Sequence, residues 1–170
     1  MKSSTFKLLV MPYSDRLYRM AYRLMENREE AEDVVQDVYM KLWTMRRELE
    51  TYQSIEALAV RITRNQCLDH LRRRKVNQQA LKTEPVTNEP DPNPHQELEG
   101  KEKKEFIQSL VDRLPEPQRS LVHLRHLEGK EYEEIAEMVN MNVNAIRVSL
   151  SRARKQMREM MEKINAPWTM

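Results

Sequence analysis

A proline-rich, acidic stretch near the middle of the chain most constrains what the sequence can fold into. Residues 83–94 hold four of the eight prolines and only one other apolar residue, a valine. Because proline lacks a backbone donor and opposes helix formation, this stretch predicts an extended, flexible linker. At roughly 3.3 Å per residue, such a linker can hold two domains well apart. We therefore expect two small domains, residues 1–76 and 101–165, joined by residues 77–100.

The composition favours an all-α protein. Only two of the 170 residues are glycine and two are phenylalanine, while 33% are charged, which suits helices with narrow apolar stripes. Charge is segregated: residues 1–76 hold 15 basic against 11 acidic residues (+4), and residues 77–100 hold one against five (−4). Residues 101–170 hold 13 against 11 (+2). Neither outer block is basic enough to hold DNA by charge alone.

Cys67 is the single cysteine, which excludes an intramolecular disulfide and a cysteine-rich zinc site. We interpret it as a small, partly buried apolar residue of a helix. The N-terminus lacks the apolar run of a signal peptide, and no stretch is long and apolar enough to span a bilayer. These observations predict a cytoplasmic protein.

In the first domain, apolar residues recur at helical spacing from Phe6 to Leu24, and Pro12 predicts a break in that helix. Asn27 predicts the N-cap of the next helix, with Glu30 as its capping-box partner. The side of this helix opposite its apolar stripe carries Asp33, Gln36, Asp37 and Met40. Such a face is either a contact surface or simply solvated.

After a polar loop at residues 46–54, a further helix is predicted from Ile55 to Lys75. Its outward side carries Arg61, Arg64, Asn65, Asp69 and Arg72. A face that mixes arginine with asparagine and aspartate can neutralise phosphates and hydrogen-bond base edges. From spacing alone, an ordinary solvated face is an equal alternative.

The second domain ends in a predicted helix-turn-helix. Tyr132, Ile135, Ala136 and Val139 follow the i, i+3, i+4, i+7 pattern of a short helix, and a turn follows at residues 140–142. Asn142 then caps a longer helix. Its inward stripe is Val143, Ile146, Leu150, Ala153 and Met157, and its other side carries Arg147, Val148, Ser151, Arg152, Arg154 and Lys155. This arrangement can enter a DNA major groove, and an ordinary helical hairpin remains the alternative.

No catalytic constellation is found. Of the four histidines, only His123 and His126 share an i, i+3 spacing. With no set of carboxylate and thiolate partners evident around them, we interpret them as surface histidines rather than metal ligands. The chain also lacks a glycine-rich phosphate loop. We therefore expect no metal, no cofactor and no enzymatic activity.

Several blocks of sequence, in order, resemble the bacterial extracytoplasmic-function (ECF) group of RNA polymerase sigma factors. The blocks are residues 17–24, 27–38, 62–65, 69–73, 114–119, 128–129, 132–136 and 150–154. The first two are similar to the core of that family's first domain, and the next two to its promoter-melting helix. The rest are similar to the second domain, on either side of its recognition turn. The resemblance covers nearly the whole chain except the linker and the tips.

The resemblance implies roles for the three surfaces. The residues implied to bind core RNA polymerase, through the clamp helices of its largest subunit, are Asp33, Gln36 and Asp37. Those implied to bind the −10 promoter element are Arg61, Arg64, Asn65, Asp69 and Arg72. Those implied to bind the −35 element are Arg147, Val148, Ser151 and Arg152, with Arg154 and Lys155 nearer the DNA backbone.

The resemblance also implies how the parts cooperate. Residues 1–76 would be sigma domain 2, residues 101–165 sigma domain 4, and the acidic linker would follow the RNA path of the polymerase. A flipped non-template base would enter a pocket formed with the loop at about residues 46–56, whose contacts must offset the cost of unstacking. The family further implies an anti-sigma factor as partner, often membrane-bound and then able to hold the chain at the inner membrane. It implies no small-molecule substrate.

Four departures from the family pattern bear on promoter sequence rather than on role. Leu58-Ala59 stands where Trp-Leu is common, and Thr63 replaces an alanine. Glu131 replaces the usual cap serine. Arg147-Val148-Ser149 replaces a common Lys-Ser-Arg, and a base-facing valine favours apolar contact, such as with a thymine methyl.

Two other classes of protein share some of these features. A stand-alone helix-turn-helix regulator would use the same recognition helix, but that class usually binds palindromes as a dimer through a further domain. Tight binding to duplex DNA without polymerase would identify it. A helical adaptor that binds only proteins would instead tolerate the loss of both Arg147 and Arg152.

Overall fold

The computed structural model describes residues 1–80 and 101–165. Within these ranges the chain forms eight α-helices and no β-strand, which confirms the predicted all-α fold class. The helices are α1 (Ser3–Val10), α2 (Ser14–Met25), α3 (Arg28–Thr44), α4 (Ile55–Ala80), α5 (Lys101–Asp112), α6 (Gln118–Val122), α7 (Tyr132–Val139) and α8 (Val143–Asn165). We call α1–α4 the N-terminal domain and α5–α8 the C-terminal domain. Most of the predicted acidic linker, residues 81–100, lies outside the described residues.

The N-terminal domain packs α2, α3 and α4 around one apolar core. Its fully or almost fully buried members include Leu17, Met20, Leu24, Val34, Val38 and Leu42. A 3₁₀ turn at Met11–Tyr13 separates α1 from α2 at Pro12, as predicted. The Asn27 side chain accepts a hydrogen bond from the backbone N–H of Glu30 at 3.0 Å, which confirms the predicted cap of α3.

Helix α4 differs from its prediction in length and in burial. It continues to Ala80 rather than ending at Lys75, because residues 76–80 contain neither proline nor glycine to stop it. In its first half, residues 57–60 and 62–63 are all buried, whereas residues 72–80 are all exposed. The single inward stripe that was predicted for this helix therefore explains only part of its burial.

The C-terminal domain packs α6, α7 and α8 around Leu121, Leu124, Ile135, Ile146 and Leu150, with α5 at its side. After α6 the chain runs through a π-helical turn, in which the Glu128 N–H donates to the His123 carbonyl at 3.0 Å. Gly129 follows with φ +65°, a left-handed conformation that suits glycine. The Asn142 side chain accepts from the Ala145 N–H at 2.8 Å, which confirms the predicted cap of α8.

The two domains contact each other, chiefly through α4 and α7. The first helix of the helix-turn-helix therefore packs on the helix that was predicted to bind the −10 element. This contact determines which of the predicted surfaces are accessible.

Candidate nucleic-acid interface

The recognition surface of α8 is open. The predicted inward stripe is confirmed, since Ile146, Leu150 and Ala153 are buried and Val143 and Met157 are partly buried. The predicted outward residues are all exposed: Arg147, Val148, Ser151, Arg152, Arg154 and Lys155. A helix with this geometry can present its exposed face to the edges of bases in a major groove.

An aromatic platform holds one of these arginines in place. The guanidinium of Arg147 lies 5.0 Å from the centre of the Tyr132 ring, and that of Arg125 lies 4.6 Å from it. Both distances are within the range of a cation–π interaction. The missing cap serine before Tyr132 is compensated, because the Glu134 carboxylate accepts from the backbone N–H of Glu131 at 2.8 Å.

The predicted −10 surface of α4 is divided. Asn65, Asp69 and Arg72 are exposed, with 3.4 Å between the Arg72 guanidinium and the Asp69 carboxylate. Arg64, in contrast, is only 13% exposed and pairs with Glu116 of the C-terminal domain at 3.2 Å. Arg61 lines a cleft between the two domains. The structure therefore leaves three of the five residues exposed and directs two towards the other domain.

The loop at residues 46–56, which was predicted to form the base pocket, faces α7 across a cleft. Tyr52 and Ser54 from this loop, with Arg61, line one side of the cleft, and Ala136, Glu137 and Asn140 line the other. The departure at Thr63 is accommodated within α4, because its buried hydroxyl donates to the carbonyl of Ala59 at 2.8 Å. In this arrangement the C-terminal domain lies across the cleft from this loop.

Sequence reasoning missed a buried charge cluster around Glu128. Its carboxylate is 4% exposed and accepts from Arg19 at 2.7 and 2.9 Å and from Arg16 at 3.0 Å. Burial alone would raise the pKa of Glu128, but the hydrogen bonds from Arg19 and Arg16 outweigh it and lower the pKa to about 2. The Glu-Gly pair at residues 128–129 marks this position in the sequence, yet nothing local predicts partners that lie more than a hundred residues away.

The interpretation of both neighbouring histidines as surface residues is wrong for His123. His126 is exposed, but His123 is 3% exposed, with its Nε2 3.4 Å from the Glu128 carboxylate. Burial lowers the pKa of His123 to about 4 despite the opposing effect of Glu128, so the imidazole is neutral at neutral pH. The i, i+3 spacing places the two residues on adjacent parts of the π-helical turn after α6, and the contact with the N-terminal domain covers only one of them.

The outer face of α3 is open along its length. Asp33, Gln36 and Asp37 are exposed, and Met40 on the same side is 67% exposed. At the end of the helix the Phe6 ring meets Trp43 edge-on at 5.1 Å, and the Arg46 guanidinium covers Trp43 at 4.4 Å. An exposed methionine suits a contact with another protein, and the acidic groups around it can steer a basic partner.

Two comparisons of sequence identify the family of this chain. Residues 9–76 match the family model for sigma-70 region 2, and residues 105–157 match that for sigma-70 region 4. The chain belongs to the sigma-70 family, in the ECF group. It is 35% identical over 160 residues to the ECF RNA polymerase sigma factor SigE of Mycolicibacterium smegmatis, which covers 91% of this chain and 61% of that protein. It is 23% identical to SigW of Bacillus subtilis, over 91% of this chain and 87% of that protein.

Two solved structures share the fold. The sigma factor RpoE of Bartonella quintana, solved in complex with the anti-sigma factor NepR, gives a TM-score of 0.72 at 25% identity, over 93% of this chain and 97% of that one. CnrH, solved with the cytosolic domain of CnrY, gives 0.66 at 19% identity, over 95% of this chain and 90% of that one, and this likeness concerns the fold alone. Matches to both regions favour a sigma factor over a stand-alone helix-turn-helix regulator.

Sigma factors are transcription initiation factors rather than enzymes. In residues 1–80 and 101–165, no three His, Cys, Asp or Glu side chains come together as metal ligands. Over the same part of the chain, no helix combines the length and the apolar character needed to cross a membrane.

Proposed function

We propose that this chain binds core RNA polymerase and directs it to promoters through −35 and −10 elements, and that it helps to open the DNA without catalysing any reaction itself. The observation that carries the proposal is the presence of regions 2 and 4 in family order, on two helical domains. In this proposal residues 1–76 act as sigma domain 2, residues 77–100 as the linker and residues 101–165 as sigma domain 4.

The C-terminal domain reads the −35 element as duplex DNA in the proposal. Arg147, Val148, Ser151 and Arg152 contact base edges, and Arg154 and Lys155 contact phosphates. The exposure of all six side chains on one helix-turn-helix supports this assignment. Val148 adds an apolar contact, which favours a thymine methyl at the base that it faces.

The N-terminal domain captures the unpaired −10 strand and docks on the polymerase. Arg61, Arg64, Asn65, Asp69 and Arg72 form the −10 surface, together with the loop at residues 46–56. Asp33, Gln36 and Asp37 bind the clamp helices of the largest polymerase subunit. The support for docking is an exposed, acidic and partly apolar face, on which charge complementarity would steer association and fix register.

An anti-sigma factor is proposed as a further partner. The sigma factor RpoE, which shares this fold, was crystallised in complex with the anti-sigma factor NepR. A partner of this class would keep the chain from polymerase until a signal releases it.

Transcription in vitro tests the proposal directly. Purified chain and core polymerase are incubated with a library of random promoter sequences, and the start sites of the transcripts are sequenced. We expect start sites that share two sequence elements at fixed spacing and that are missing with core polymerase alone. A gel shift without polymerase provides the second arm, because a stand-alone regulator would bind its duplex site tightly there. Transcripts that do not depend on the added chain would overturn the proposal.

A further inference from the structure

A cluster of four side chains lies at the start of the helix-turn-helix, beside the recognition face of α8. Arg147 belongs to that face, and its guanidinium shares the ring of Tyr132 with the guanidinium of Arg125. The fourth member is Glu131, whose carboxylate accepts a hydrogen bond from Arg125 at 3.1 Å. An acidic side chain is therefore paired with an arginine at the edge of the surface that is proposed to read the −35 element.

Glu131 places a negative charge beside a surface that is otherwise cationic. The recognition face carries four exposed cations, and in the part of the chain that the structure describes none of them forms an ion pair: Arg147, Arg152, Arg154 and Lys155. Arg125 at the edge of this face does form one, and its partner is Glu131. Serine is common at this position in the ECF group, so the carboxylate is a departure that calls for a physical role.

The position of Arg125 suits a phosphate of the DNA backbone. The first helix of a helix-turn-helix crosses the backbone while the second enters the major groove. Here the first helix is α7, and the Arg125 guanidinium lies over the ring of Tyr132, the first residue of α7. The same planar set of N–H donors binds a carboxylate or a phosphate. The Glu131 carboxylate therefore occupies donors that a phosphate can use.

The pair is exposed enough to be exchanged. The Glu131 side chain is 68% exposed, and an ion pair that is open to water contributes little to stability. Arg125 is also held independently of Glu131, because its guanidinium donates to the backbone carbonyl of Lys130 at 2.7 Å. When Glu131 turns away, the guanidinium therefore stays in place, but the released carboxylate remains close to the approaching phosphates and repels them.

We propose that Glu131 is an internal competitor of the DNA backbone, which occupies Arg125 in the free protein and lowers the affinity of the helix-turn-helix for DNA of any sequence. The effect is on affinity rather than on sequence preference, because phosphate contacts carry no sequence information directly. Binding to unrelated DNA is weakened, and the base contacts of α8 then contribute a larger share of the binding that remains. This inference rests on the proposed function, since it requires the exposed face of α8 to meet DNA.

Replacement of the carboxylate tests the competition. We expect Glu131→Gln to bind a fluorescently labelled duplex of random sequence roughly fivefold more tightly than the wild-type full chain, as measured by anisotropy. The slope of log K against log salt concentration should become steeper by about one, because one more phosphate is neutralised. Glu131→Ser should give the same gain, and circular dichroism checks that both variants keep the helix content. Wild-type affinity and slope in both folded variants would overturn the proposal.

A matched control distinguishes competition from a change in net charge. Glu133→Gln makes the same charge change two residues further along α7, at an exposed carboxylate that forms no ion pair within residues 1–80 and 101–165. It should gain much less affinity than Glu131→Gln. An equal gain in the two variants would contradict the proposal, because it would show that any carboxylate of α7 repels the DNA to the same degree.

A double-mutant cycle tests whether Arg125 carries the effect. Arg125→Gln alone should lower the affinity for every duplex, and Glu131→Gln should add little in that background, because the two groups act through one contact. The coupling is the readout that a general electrostatic effect does not give. A gain of the same size with and without Arg125 would overturn the competition.

A measurement with polymerase separates failure of this inference from failure of the proposed function. Holoenzyme is titrated with promoter duplexes from the transcription experiment, with matched or altered −35 elements, and Arg152→Ala is included. We expect Glu131→Gln to raise the affinity for both duplexes by the same factor, and a gain confined to the matched duplex would overturn the proposal. Loss of binding in Arg152→Ala with no change in Glu131→Gln would contradict the competitor alone. No change in either variant would contradict the −35 assignment as well.

Discussion

The recognition face of α8 and the outer face of α4 belong to one chain, but they differ in what covers them. Every predicted contact residue of α8 is exposed, whereas Arg64 of α4 is paired with the other domain and Arg61 lines the cleft between domains. Two surfaces with similar sequence patterns can therefore differ in whether they are exposed to a binding partner. An amphipathic pattern shows that a face is polar, but a polar face can bind a nucleic acid or a neighbouring domain.

The largest expected effect concerns a third surface, the α3 face, which is open like that of α8. Asp37→Arg places a positive charge in an acidic patch, and we expect complete loss of co-purification with core polymerase because like charges would then face each other. Glu159→Arg, an equal charge change at an exposed position of α8, is the control. Normal co-purification of Asp37→Arg would contradict the clamp assignment.

The next largest effect concerns the buried His123, and it should appear as a pH dependence of the free energy of unfolding. His123 has a folded pKa of about 4 against an ordinary 6.5, so the unfolded chain binds more protons between these values. The free energy of unfolding should therefore rise with pH over this window, by up to about 3 kcal/mol in total. Glu128, with a folded pKa of about 2, adds acid sensitivity only below its ordinary value of 4.5.

Urea unfolding at several pH values across that window measures the effect. We expect His123→Gln to flatten the rise, while His126→Gln, three residues along and exposed, should keep most of it. An equally steep rise in His123→Gln would show that another group is responsible.

A smaller effect tests the open surface. Arg152→Ala should weaken holoenzyme binding to a promoter by about 1–3 kcal/mol, the usual worth of a good base contact. Because Arg152 is exposed, its replacement should leave the fold unchanged, which circular dichroism can check. Arg158→Ala, also exposed but further along α8, is the control. Equal transcription by wild type and Arg152→Ala across a set of −35 mutants would count against the assignment.

The smallest expected effect concerns Val148, on the same exposed face of α8. Val148→Ser removes apolar contact area at a side chain that is 50% exposed, and we expect a loss of about 1 kcal/mol at promoters with thymine at the facing base. Promoters with another base there should respond less. A uniform loss at all promoters would point to a change in helix stability instead.

The sequence predicts local features of this fold well. Asn27 and Asn142 form their predicted caps, Pro12 separates α1 from α2, and the inward stripe of α8 is buried as expected. These features depend on residues within one or two helical turns. The end of α4 was less predictable, since helix stop signals are weak when neither glycine nor proline is present.

Features that depend on the contact between domains were not predictable in this way. Arg64 has the pattern of an outward residue and His123 that of a surface histidine. The other half of the chain nevertheless covers most of Arg64 and buries His123. Glu128 and its partners Arg16 and Arg19 are separated by more than a hundred residues, and the periodicity of one helix contains no information about such a pair.

The ring of Tyr132, shared by Arg125 and Arg147, has a consequence for how sharply the protein can discriminate between sequences. A free arginine side chain carries about 2 kcal/mol of rotamer entropy, part of which is lost when it is fixed against a base. Arg147 has already given up some of that freedom by stacking on the aromatic ring. A larger part of the free energy of its contact with DNA is then available to discriminate a matching base from a mismatched one.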